Sequence, residues 1–278
     1  MRGRFPMRLW PLVVLGAALA LAYLLPVVTT LDPLAQSLRI RLTPPIWDED
    51  GRHGFVLGTD QLGRDLLTRI LFGLRTSLEI GVAAASASAV IGVVLGLAAG
   101  YFRGWMDTLV TRLADIQLAF PLLVLAIAIL AIVGGSAGPL TIVLALFGWA
   151  VYARVVRAVA LVQSELDFVD AARLAGAGHL RVMFRHLLPN LLGPIFVLWT
   201  FAVAQMVVLE GALSFLGLGV RPPAPSLGGI MSEGRQLLEV AWWLTVFPGA
   251  TLAAVVLALN ALGDDLRDWL DPRASRQR

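Results

Sequence analysis

Histidine is the side chain most often used to move protons near neutral pH, and this chain has three: His53, His179 and His186. His179 and His186 lie seven residues apart and can share a helical face, but no third ligand accompanies them. They read as surface histidines, not as a metal site. The absence of cysteine excludes disulfides, thiolate ligation and a cysteine nucleophile. Lysine is absent too, so all 22 basic residues are arginine. A phosphate-binding P-loop places a lysine on the β- and γ-phosphates. If ATP powers this protein, another chain binds it, and this chain itself needs no cofactor.

The densest collection of polar groups is "DAARLAGAGHLRVMFRHLLPN", Asp170 to Asn190, which interrupts two long apolar segments. Ser164-Glu165-Leu166-Asp167 fits a capping box with Asp in place of Glu or Gln, predicting a short helix from Ser164 through Leu174. Gly176 supplies a left-handed stop. A second short helix is expected from about His179, with Leu180, Met183, Phe184, Leu187 and Leu188 on one face and Arg181 and Arg185 on another. Pro189 suits the opening turn of the following helix. Glu165, Asp167 and Asp170 come early, and Arg173, Arg181 and Arg185 come late, which suits the helix dipole. Two readings stay open for the leftover apolar stripe. It packs on its own bundle, or it docks into a groove on a partner.

The elements that must position this interruption are membrane helices. Apolar residues make up 58% of the 278, charged ones 15%, and mean hydropathy is +0.80. Soluble domains hold roughly 45–50% apolar and about 25% charged residues. Six stretches are long enough to span, near 9–28, 77–100, 116–135, 139–158, 190–212 and 241–262. No basic stripe for nucleic acid appears. The first stretch, behind Arg2, Arg4 and Arg8, reads as a retained helix and not as a cleaved signal peptide. With that N-terminus inside, fourteen of the 22 arginines fall on the cytoplasmic side, a bias that favours this orientation.

Within the outer segment 29–76, a proline- and acid-rich loop precedes an amphipathic helix carrying Leu62, Leu66, Leu67, Ile70, Leu71 and Leu74, with Asp65 and Arg69 as an i,i+4 pair. Gly92, Gly96 and Gly100 recur at four-residue spacing in the second span, the pattern of close helix packing in lipid. Pro121 and Pro248 mark bends. Glu79 and Glu210 are expected at span ends, and Arg154 and Arg157 are expected to snorkel from the inner end of the fourth span. No span centre holds a catalytic pair or an acid relay, which weighs against a membrane protease and against ion-coupled transport. The organisation expected is an N-terminal helix, outer loop and amphipathic helix over 1–76, a core over 77–270 containing the interruption 164–189, and a tail over 271–278.

At the interruption the sequence resembles a known family. Asp170-Ala171-Ala172-x-x-x-Gly176, nine residues, then His186-x-Leu188-Pro189 is similar to the coupling motif of bacterial ABC importer permeases, which begins Glu-Ala-Ala, keeps the glycine and ends aliphatic-x-Leu-Pro. Asp170 and His186 depart from that pattern. "LGTDQLGRDLLTRILFGLRTSL" (Leu57 to Leu78), "LSFLGLGVRPPAPSLG" (Leu213 to Gly228), "AWWLTVFPG" (Ala241 to Gly249) and "LGDDLRDWLDPR" (Leu262 to Arg273) resemble the dipeptide/oligopeptide/nickel subgroup, specifically its second permease subunit.

The resemblance implies an all-α, six-helix type I permease in the bacterial inner membrane, both termini cytoplasmic. It implies a homologous second permease, two ATP-binding subunits carrying ATP and Mg, and an extracytoplasmic solute-binding protein. Asp170, Ala171, Ala172, Arg173, Gly176, Arg181, Arg185, Leu188 and Pro189 would form the ATPase-coupling interface. The segment Leu213–Gly228 is open between an outer gate or binding-protein contact and a structural loop. The implied cargo is peptide. Nickel-chelate import, a stand-alone secondary transporter and a membrane enzyme are the competing readings.

Overall fold

The computed structural model of the chain describes residues 8–24 and 31–270. The end of the first expected span, Arg2, Arg4, Arg273 and the tail 271–278 lie outside the described residues. Among those described the chain is helical, with one isolated bridge, Thr59 to Asp65, in place of any sheet. The helices are α1 (Leu9–Leu19, continued by a π turn over Ala20–Leu24), α2 (Leu66–Phe102), α3 (Gly104–Ala119), α4 (Leu122–Val133), α5 (Ala137–Gln163), α6 (Asp167–Leu174), α7 (His179–Phe215), α8 (Leu227–Gly234) and α9 (Trp243–Leu270).

Four of these, α2, α5, α7 and α9, are long and apolar enough to cross a membrane. The pair α3 and α4 forms a broken fifth unit bent by 85°, and Leu9–Leu24 is a shorter apolar helix. The order of the expected spans is kept, but their shapes differ. The amphipathic helix and second span are one 37-residue helix, running unbroken through positions 76 and 77. Asp65 does not pair with Arg69. Its carboxylate caps α2, accepting from the Thr68 amide at 2.8 Å, while Arg69 turns to Asp60 and Glu233. The third span breaks at Phe120–Pro121, and most of the expected loop before it is α3. Proline offers no N–H and clashes with the preceding turn, so the chain changes direction there.

Charges near the spans also sit differently from expectation. Arg154 and Arg157 pair with Asp115 and Asp107 of α3, the second through a bond of 2.7 Å, so they tie two helices together instead of snorkelling. Glu79 is exposed and accepts from Arg75 at 2.9 Å, whereas Glu210 does not reach the interface. It is fully buried, with Oε1 accepting from Ser214 Oγ at 2.7 Å.

The main joint is between α2 and α5. A Cβ on Gly96 would lie 2.6 Å from the Ala153 carbonyl, and one on Gly100 2.7 Å from Ala160 Cβ; at Gly92 it would meet Tyr152 Cβ at 2.5 Å. The three glycines thus let the two backbones touch, and Ser88 Oγ adds a bond to the Ala145 carbonyl at 2.9 Å.

One end of this bundle is closed by a buried ion cluster. Asp60 accepts the amides of Leu62 (2.8 Å) and Arg64 (3.0 Å) on Oδ1, and the Arg64 and Arg69 guanidinium groups on Oδ2. Glu233 on α8 completes the set, 2.9 Å from Arg64 and 2.7 Å from Arg69. Gly58 and Gly63, both at positive φ, let the loop fold tightly enough to deliver Asp60 there. Trp243 at the start of α9 donates to the Thr59 carbonyl at 3.1 Å, joining the last helix to the same knot.

Candidate functional site

The opposite end of the bundle carries the interruption. α5 runs on to Gln163, and Ser164 caps its C-terminus, donating to the Leu161 carbonyl at 3.0 Å. The expected capping box is therefore not formed. α6 starts at Asp167 with Leu166 at its N-cap and no side-chain cap, because the Ser164 hydroxyl is already engaged. α6 is amphipathic in the plainest way. Val169 is fully buried among Val182, Met183, Leu187 and the α2 residues Leu97 and Tyr101, while Phe168, Leu174 and Ala171 face outward. Full burial of a valine contributes roughly 1.5–3 kcal/mol, and Val169 is the one residue of α6 that is fully buried.

Gly176 ends α6 at φ +81°. The Gly176 amide donates to the Arg173 carbonyl at 2.9 Å and the Ala177 amide to the Ala172 carbonyl at 3.0 Å, the paired bonds of a Schellman stop. Nothing lies within 4 Å of where a Cβ would be, so backbone conformation alone calls for glycine.

The second short helix is not separate. His179–Arg181 passes through a π turn over Val182–Leu187 directly into the fifth span, forming one element from His179 to Phe215. Pro189 has no N–H for the Arg185 carbonyl, and the widened turn before it lets the helix continue. The expected stripe splits lengthwise. Met183 and Leu187 go into the bundle, Leu188 is half-buried, and Leu180 and Phe184 stay outside at 69% and 44% exposure. With Leu174 at 90%, they leave an apolar surface that the bundle does not cover.

The arginines divide in the same manner. Arg173 folds back, 3.2 Å from Asp170 and over the Tyr101 ring at 5.2 Å. Arg181 and Arg185 are exposed beside Leu180 and Phe184. Ala172 is half-buried, and Asp170 and Pro189 are exposed. Two links that the sequence reading missed fasten the element to the bundle: Arg103 to Glu165 at 2.8 Å, and Tyr101 Oη to His179 Nδ1 at 3.0 Å. Both join residues more than sixty positions apart, and no local pattern announces them. Among the described residues no cluster of His, Asp and Glu could hold a metal.

The arrangement offers no nucleophile with a base and no ligand set. It offers an exposed patch, half apolar and half basic, at the start of α7, the element that continues into a membrane span. Residues 92–276, well over half of the chain, match the family described as the binding-protein-dependent transport system inner membrane component. The chain belongs to this family. It is therefore a multi-pass transport permease of the bacterial inner membrane, an all-α helix bundle that works as one component of a binding-protein-dependent system. The membrane-enzyme and stand-alone transporter readings are set aside.

Its relatives agree along nearly the full length. It is 44% identical over 248 residues to the di/tripeptide transport system permease protein DppC of Pseudomonas aeruginosa, covering 89% of this chain and 82% of that one. It is 40% identical over 253 residues to the dipeptide permease DppC of Haemophilus influenzae, covering 91% and 86%. The glutathione transport system permease GsiD of Pectobacterium atrosepticum is 40% identical over 217 residues, covering 78% and 72%.

Proposed function

We propose that this chain is the second-type permease subunit of an ATP-driven peptide importer, and that α6, Gly176 and the start of α7 are where an ATPase subunit takes hold of it. The observation that carries the reading is the uncovered knob: Leu174, Leu180 and Phe184 exposed beside Arg181 and Arg185, on an element whose inner face is fixed by Val169, Met183 and Leu187. An apolar patch edged by arginine suits docking into a groove. Asp170, Ala171, Ala172 and Arg173 shape α6, and Leu188 and Pro189 set where α7 enters the span.

In this reading ATP and Mg are bound by two partner subunits, a homologous permease completes the channel, and a solute-binding protein delivers cargo on the outer side. The termini lie in the cytoplasm with the knob. In support, the Arg8 amide donates to Asp265 of α9 at 2.9 Å, so the start of α1 lies beside the last turns of α9. Peptide cargo is supported by the relatives named for di/tripeptide, dipeptide and glutathione transport. Closure of the ATPases would move the knob, and α7 would transmit the motion to the wall of the pathway.

The test is reconstitution in liposomes. Uptake of a labelled dipeptide is expected only when both permeases, the ATPases, the binding protein and ATP are all present. Uptake by this chain alone, driven by an ion gradient, would overturn the proposal.

A further inference from the structure

At the break between α3 and α4 a cavity of about 270 Å³ opens, lined by Gln117, Phe120, Phe147, Tyr152, Gln205 and Met206 among others. It is open on one side, since Phe120 and Gln205 are exposed, and it adjoins the Asp115–Arg154 ion pair, which sits two residues from Gln117 on α3 and two from Tyr152 on α5.

A buried polar group is costly unless it has a partner. The Tyr152 side chain is buried, only 2% of the residue being exposed, yet its hydroxyl has no hydrogen-bond partner among the described residues. Gln205 is exposed on α7. Gln117 uses its Nε2 on the Phe147 carbonyl and keeps its own amide oxygen as an acceptor. The break itself creates the space. Past Pro121 the chain leaves the line of α3, so Phe147, Gly148 and Tyr152 of α5 lose the neighbour that a straight helix would provide.

The chemistry of the walls narrows the occupant. No Asp, Glu, His or Arg lines the cavity, so neither a bare metal cation nor a charged side chain finds a counter-group. Two carboxamides and a phenol each both donate and accept, set in a wall of phenylalanine and aliphatic residues. That combination matches peptide-bond amides, which also donate and accept and carry no charge.

We propose that Gln117, Tyr152 and Gln205 form a station for the backbone amides of the solute in transit. This rests on the peptide-importer reading above and adds to it the residues in this chain that the cargo touches.

The experiment uses the complete transport system in liposomes and measures uptake of a labelled dipeptide and tripeptide together with ATP hydrolysis. Tyr152→Phe removes the hydroxyl and keeps the ring, and Gln205→Leu removes the amide. Each is expected to lower peptides imported per ATP by about two- to tenfold, the range of one lost hydrogen bond. A second readout uses the absence of cysteine from this chain. Gln205→Cys gives it one thiol, and peptide import is expected to slow its labelling by a small maleimide, read by mass on this chain.

The proposal is overturned if both variants import at the wild-type ratio to ATP. It is overturned equally if hydrolysis falls in step with uptake, which indicates helix packing alone, or if labelling of Gln205→Cys is indifferent to peptide. A wild-type system that hydrolyses ATP and imports no peptide overturns the functional reading itself.

Discussion

The Ala177 amide reaches over Gly176 to the Ala172 carbonyl, 3.0 Å away, and this bond closes α6 and aims the chain into α7. A non-glycine residue at φ +81° costs about 1–2 kcal/mol in backbone conformation. Gly176→Ala should therefore loosen the knob without unfolding the protein. Gly176→Pro forbids the angle outright and also removes the bond to Arg173. The expected outcome is normal membrane yield for both, reduced uptake per ATP for alanine and near-complete uncoupling for proline. Parallel measurement of insertion, hydrolysis and uptake checks it. Normal uptake in Gly176→Pro would remove the coupling role.

Leu174 and Leu180 give a cleaner separation of docking from folding, because they are 90% and 69% exposed. Surface substitutions of this kind usually change stability by less than about 0.5 kcal/mol. Leu174→Asp and Leu180→Asp should leave thermal unfolding of the isolated permease unchanged and reduce co-purification of the ATPase by tenfold or more, on the order of 1.4 kcal/mol. Val169→Ala should do the reverse first, lowering stability by removing the pin beneath α6.

At the far end, Asp60 holds two buried guanidinium groups and two backbone amides at once. Asp60→Ala strands all four, and breaking a buried pair costs about 3–5 kcal/mol. Asp60→Asn keeps an acceptor for the amides of Leu62 and Arg64 and should cost less. Glu233→Gln should cost least, since Glu233 is 22% exposed and water can replace part of its role. Thermal denaturation in detergent should rank the three variants in that order.

Much of this architecture was legible because lipid imposes a simple code. Long apolar runs became helices, Gly176 stopped a helix and Pro121 bent one. The errors came from residues with two possible partners. Asp65 stood four before Arg69, and Ser164 three before Asp167, which are good local pairs. Asp65 capped its own helix instead, and Ser164 closed α5. Arg69 found Asp60 and Glu233, the second 164 positions away. The apolar stripe was half legible. Helical period grouped Leu180 with Leu187, but the π turn and the burial of Val169 decided which side faced the bundle. Tyr101 with His179 had no sequence signal at all.

The joint between α2 and α5 allows a graded test. Gly138 has nothing within 4 Å of a new Cβ, so Gly138→Ala is a neutral control. Gly96→Ala would press a methyl to 2.6 Å from the Ala153 carbonyl and 2.9 Å from Val156 Cβ. The first contact is backbone and cannot swing aside, so the helices must separate, at a cost of about 1–3 kcal/mol for overpacking. Gly100→Ala differs, since its nearest obstacle is the Ala160 Cβ at 2.7 Å, with the Arg157 carbonyl at 2.8 Å behind it. Adding Ala160→Gly removes the first obstacle and leaves the second. The double variant should recover part of the lost thermal stability, whereas Ala160→Gly combined with Gly96→Ala should recover none. Full recovery in the first pair, or any in the second, would mean that the glycines are not held apart by the individual contacts described.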